Sequence, residues 1–155
     1  MLSIASLIKE SKTYLDKPYI KVAWHPQLNL IIHDWKGFAT FEEILEVGRR
    51  TLSAVQMEHA TKVLYDTRDM EVLDDRSRNY IAGEFTVKMI RAGIHYSATI
   101  LPEDPFAQYT IQAIKGSMER HLPERERYFN AVNKALEWVV SQQVVPKSGV
   151  RLVHQ

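Results

Sequence analysis

A chain of 155 residues without a single cysteine has no disulfides, no thiolate metal site and no cysteine nucleophile. Its 20 Lys plus Arg nearly cancel its 19 Asp plus Glu. The two signs are interleaved, as in Glu124-Arg125-Glu126-Arg127, which reads as a solvated helix face and argues against a nucleic-acid-binding stripe.

The length suits one domain with its own core. No apolar stretch approaches the ~20 residues that span a bilayer. Met1 to Leu7 has no basic region ahead of its short apolar run, so a cytoplasmic address is expected, without stable membrane insertion.

Residues 1–16 carry Ile4, Leu7, Ile8 and Leu15 at loosely helical spacing and read as an N-terminal segment that docks on the domain. Tyr19 to His25 alternates Ile20, Val22 and Trp24 with Lys21, Ala23 and His25, the period of a strand. Pro26 to Asn29 is a turn, and Leu30 to Trp35 a second strand that completes a hairpin. Thr40 and Glu43 have the spacing of a capping box. After them Phe41, Ile44, Leu45, Gly48, Leu52 and Val55 form one helical stripe. Val63-Leu64-Tyr65 is an unbroken apolar run between helices, as in a strand buried on both faces.

A second helix starts at Asp74 or Asp75, buries Ile81, Phe85 and Met89, and ends at Gly93. Ile94 to Leu101 is a fourth strand. Asp104-Pro105 looks like a cap followed by proline at the first helical position, and Ile111, Ile114 and Met118 mark a third helix. Pro123 begins a fourth, with Phe129, Val132, Leu136, Val139 and Val140 inward. The expected fold is α/β, in the order β-β-α-β-α-β-α-α. Its mixed, mostly parallel sheet has four to five strands. The domain is expected over 1–143, with a C-terminal tail at 144–155.

Trp35-Lys36-Gly37 leading into the Thr40 helix, Lys62-Val63-Leu64-Tyr65-Asp66-Thr67-Arg68 and Pro105-Phe106-Ala107-Gln108 resemble the STAS-like proteins related to the bacterial anti-sigma-factor antagonist. The resemblance covers roughly residues 18–140 and is one of pattern, without a catalytic signature. It implies a small α/β domain that binds a partner protein or, in some branches, an apolar ligand; the CRAL-TRIO lipid carriers have a related fold. In the phosphorylated branch a serine follows an aspartate after the third strand. The matching place is Asp66-Thr67. This chain departs from that branch in having Arg68, Asp69 and Met70 where small residues and glycine follow the serine, which argues against kinase control at Thr67.

Ligands in open α/β sheets sit beyond the carboxyl ends of the strands. Asp66, Thr67, Arg68 and Asp69 are therefore the candidate partner- or ligand-binding residues, as a loop capable of charge-assisted hydrogen bonds. The plainer alternative pairs Arg68 with Asp66 or Asp69 and lets Thr67 cap the turn. A second reading gathers Trp35, Phe85, Met89, Tyr96 and Phe106 around an apolar pocket beneath the helices near 85–92 and 105–118, with plain core packing as its alternative. A third is an enzyme built on Asp66, Arg68, Asp69 and His95.

No Gly-rich phosphate loop, GxSxG elbow or HExxH is present, and His25, His33, His59, His95 and His121 fall at no ligand spacing. Neither catalysis nor a cofactor or metal is expected. Self-association through Val144-Val145 and Val150 to Val153 is a further expectation.

Overall fold

The computed structural model describes residues 2–118 and 125–144. Its centre is a six-stranded sheet in the order β1-β2-β3-β4-β5-β6. The strands are β1 (Lys12–Lys17), β2 (Ile20–His25), β3 (Leu30–Gly37), β4 (Lys62–Met70), β5 (Tyr96–Ile100) and β6 (Glu126–Phe129). The first three form an antiparallel meander. From β3 onward every pairing is parallel, because a helix returns the chain between successive strands.

The helices are α1 (Ile4–Lys9), α2 (Phe41–Glu58), α3 (Asp75–Tyr80), α4 (Thr86–Ala92), α5 (Pro105–Met118) and α6 (Val132–Ser141). A π turn, Ile81–Phe85, joins α3 to α4. The Thr40–Glu43 capping box forms as expected: Thr40 Oγ1 accepts from the Glu43 backbone N–H, and the Thr40 N–H donates to Glu43 Oε1. The Asp74 carboxylate caps α3, and Gly93 closes α4 in the left-handed region.

Side chains alternate across a strand, so the sheet carries two cores. One face packs Val22, Trp24, Ile31, Trp35 and Val63 against α2, the α3–α4 arm and α5. The other packs Leu30, Ile32, Leu64, Ala98 and Ile100 against Ile4 and Leu7 of α1 and Ala135, Leu136 and Val139 of α6. Full burial of each such aliphatic side chain contributes ~1.5–3 kcal/mol. Val63 and Leu64 reach opposite cores, which is why β4 reads as an unbroken apolar run.

The sheet has more strands than the sequence suggests. Residues 1–16 split into a docking helix and the edge strand β1, where Leu15 is buried among polar neighbours. Phe129, expected on a helix, belongs to β6, and α6 begins only at Val132. The helix start expected at Pro123, and the expected tail beyond Val144, lie outside the described residues. No helix among the described residues is long and apolar enough to cross a membrane.

Candidate functional site

Asp66, Thr67, Arg68 and Asp69 are not a loop. They are the last part of β4, which runs to Met70. Alternation therefore divides them. Asp66 and Arg68 share one face: Arg68 Nε and Nη2 donate to Asp66 Oδ1 and Oδ2 at 3.0 and 2.8 Å, and the Arg68 backbone N–H adds a bond at 3.2 Å. Hydrogen bonding to the Asp66 carboxylate raises the Arg68 pKa further. Thr67 points to the other face. It is 3% exposed, and its hydroxyl donates to the Ile100 carbonyl at 2.6 Å. Asp69 is exposed and lies 3.7 Å from Lys36 Nζ. The plainer pairing of Arg68 with Asp66 is thus what forms, and Arg68 and Asp69 alone of the four reach solvent to an appreciable extent.

Lys36 also lies 3.9 Å from Asp34. Asp34 and Asp66 are register neighbours on β3 and β4. Partial burial raises the Asp34 pKa, Lys36 opposes the rise, and Asp66 and Asp69 add to it. His95 precedes β5 at the other end of the strands, where its Nδ1 donates to the Gly93 carbonyl at 3.0 Å. It does not meet the carboxylates, so the four residues of the enzyme reading form no constellation. Among the described residues no group of three or more His, Asp and Glu side chains could hold a metal.

A partly open cavity of about 70 Å³ lies between the sheet and the helices. Trp35, Tyr65, Thr67, Ser97, Thr99 and Tyr128 come from the sheet. Ile81, Phe85 and Thr86 come from the π turn and the start of α4, Ile111 and Ile114 from α5, and Met70 from the end of β4. Of the five residues expected to line a pocket, Trp35 and Phe85 do so. Met89 is buried in the same core but is not among the lining residues. Tyr96 faces the opposite core, with its ring centroid 6.0 Å from that of Trp138, because it is an odd number of positions from Ser97 and Thr99. Phe106 is 75% exposed on the outer side of α5.

The sequence reading missed the hydroxyls. Polar residues at 97 and 99 in the otherwise apolar β5 were the available signal. Burial pushes the Tyr65 and Tyr128 phenols well above their usual range, with Glu126 adding to both, so both stay neutral. His33 sits behind the cavity, its ring centroid 5.7, 5.0 and 6.5 Å from those of Trp35, Tyr65 and Phe85. The Thr51 hydroxyl donates to the Val47 carbonyl. It is therefore an acceptor toward His33 Nε2, at 2.8 Å, which makes Nε2 the protonated nitrogen. Burial lowers the His33 pKa to about 3.

The rim where β3, β4 and β5 end carries a different chemistry. Phe38 follows β3, Val72 follows β4, and Phe106 and Tyr109 open α5; all four are exposed large apolar side chains. The Arg78 guanidinium stacks over the Tyr109 ring at 5.6 Å, and Arg76 lies over Phe41 at 3.9 Å.

This chain is similar to a solved structure of a candidate anti-sigma factor antagonist from Thermotoga maritima. The match has a TM-score of 0.54 over 72% of this chain and 87% of that one, at 14% identity. The chain has the STAS-like fold. A weaker likeness, to the anti-sigma factor antagonist SpoIIAA in its unphosphorylated form, has a TM-score of 0.48 and 11% identity over 85% of this chain and 99% of that one. No family model matches the chain, and no curated protein does. In this fold the rim and the cavity are separate places: Asp69 stands near the end of β4, exposed, whereas Thr67 lines the cavity.

Proposed function

We propose that this STAS-like domain is a non-catalytic regulatory module that recognises a partner protein through the rim where β3, β4 and β5 end. One observation carries the reading: four of the six exposed large apolar side chains among the described residues, Phe38, Val72, Phe106 and Tyr109, sit at that rim. Soluble surfaces seldom concentrate apolar side chains unless they are covered in use. Aromatic and arginine side chains are the residue types that anchor protein interfaces, and the Arg78 guanidinium lies over the Tyr109 ring. Asp69, with its carboxylate exposed, supplies a charge that selects a partner by complementarity. The Thermotoga structure of the same fold is described as an antagonist of another protein, which agrees with a protein partner.

The test uses immobilised chain and extract of its source cells, with bound proteins identified by mass spectrometry. Phe106→Ala combined with Asp69→Ala is expected to lose a partner that wild type and a Met57→Ala control retain, at unchanged melting temperature. A partner set indifferent to the rim variant overturns the reading.

A further inference from the structure

We propose that the cavity beneath the π turn is a binding site for a small uncharged molecule no larger than one ring, with a flat apolar body and a hydroxyl or carbonyl edge. The proposal stands apart from the rim and from any protein partner.

The floor of the cavity is a transverse polar row. Tyr65 is the register neighbour of Thr99, and Thr99 that of Tyr128. Their side chains thus project to one face from three adjacent strands whose backbones lie about 4.8 Å apart, with Ser97 on the same face of β5. The Thr67 and Thr86 hydroxyls are already committed to the carbonyls of Ile100 and Ile81. Those of Tyr65, Ser97 and Thr99 make no hydrogen bond to another described residue. Uncommitted hydroxyls in a recess need water or a ligand as partner.

The roof is apolar: Ile81 and Phe85 of the π turn, and Ile111 and Ile114 of α5. A floor of hydroxyls beneath such a roof fits a molecule with one polar edge and one greasy face. Among the described residues no Asp, Glu, Lys, Arg or His lines the space, so a charged ligand would lose its hydration without a counter-charge from them.

Size narrows the class. The 70 Å³ available is roughly half of the about 150 Å³ that encloses a benzene ring entirely. Because the cavity is partly open, a single ring can seat its polar edge on the row and leave its far side toward the mouth. A fatty acyl chain is too long for the space. The π turn in the roof is a local geometry that recurs at functional sites.

Phenol is the probe, with benzoate and decanoate as charged and long-chain comparators, measured by calorimetric titration and thermal unfolding of the full chain. Phenol is expected to bind at one site with millimolar or better affinity and to raise the melting temperature, while benzoate and decanoate do neither. Thr99→Val keeps shape and removes one hydroxyl. It is expected to weaken phenol about five- to tenfold, the size of one hydrogen bond. Tyr65→Phe is the second such variant and is expected to act alike. No saturable phenol binding, phenol affinity unchanged in both variants, or tighter binding of decanoate than of phenol would each overturn the proposal.

Discussion

Tyr80 of α3 lies directly over Gly48 of α2. A β-carbon at position 48 would come within 3.0 Å of the Tyr80 ring carbon Cζ and closer still to its hydroxyl. The glycine is what lets the two helices approach, and the Tyr80 ring in turn lies 6.1 Å from Phe85 in the cavity roof. Gly48→Ala gains up to about 1 kcal/mol of helix propensity but forces Tyr80 away at a cost of about 1–3 kcal/mol. A net fall of several degrees in melting temperature is expected, and Gly48→Ala with Tyr80→Ala should be more stable than the two single effects added together.

Asp66 and Arg68 form a pair in which the carboxylate is buried and the guanidinium is 40% exposed. Arg68→Ala strands the carboxylate and is expected to cost about 1–2 kcal/mol, a figure discounted for the solvent around Arg68. Adding Asp66→Asn should restore part of that loss in urea unfolding. If the double variant is no more stable than Arg68→Ala, the pair does not act as a unit.

His33 is neutral in the fold, with its pKa lowered to about 3 from an ordinary value near 6.5. The unfolded chain therefore takes up a proton at this ring below pH 6.5 while the folded chain does not, until about pH 3. Stability from this group is complete above pH 6.5 and is lost as pH falls. Between pH 7 and pH 5 the loss is about 2 kcal/mol. His33→Leu should remove that increment from the difference between urea unfolding at the two pH values, whatever its own effect at pH 7.

Thr67 is held between strands by its 2.6 Å bond to the Ile100 carbonyl. Thr67→Val removes that bond at a cost of about 1 kcal/mol, with the fold retained by circular dichroism. Thr67→Glu places a charge at a site only 3% exposed and is expected to lose the cooperative thermal transition. A stable, cooperatively folding Thr67→Glu would show that this position tolerates phosphate-like charge.

Phe106 and Tyr109, at 75% and 64% exposure, have little packing to lose. Alanine at both should leave the melting temperature within about 2 °C, since exposed sites stay within about 0.5 kcal/mol. A larger fall would mean that these rings support the fold, which would weaken the case for a rim kept free for a partner.

Local chemistry was enough to mark α2, with its capping box and stripe, the hairpin of β2 and β3, the left-handed Gly93 cap, and β4 as an interior strand. Each rests on contacts a few residues apart in the chain, so periodicity and turn residues carry it. The edge strands β1 and β6 escaped because they are short and polar: Lys12, Asp16 and Lys17 face solvent, and β6 has only four residues. Their strand character comes from pairing with β2 and β5, not from their own composition. Which face each side chain joined was likewise a tertiary matter. Asp66 and Thr67 are adjacent in sequence but separated by the thickness of the sheet, whereas Tyr65, Thr99 and Tyr128, scattered over more than sixty residues, stand in one row. Sequence spacing records neighbours along a strand, but register between strands depends on how the whole sheet closes over its two cores. That is why the hydroxyl floor was decided by the fold alone.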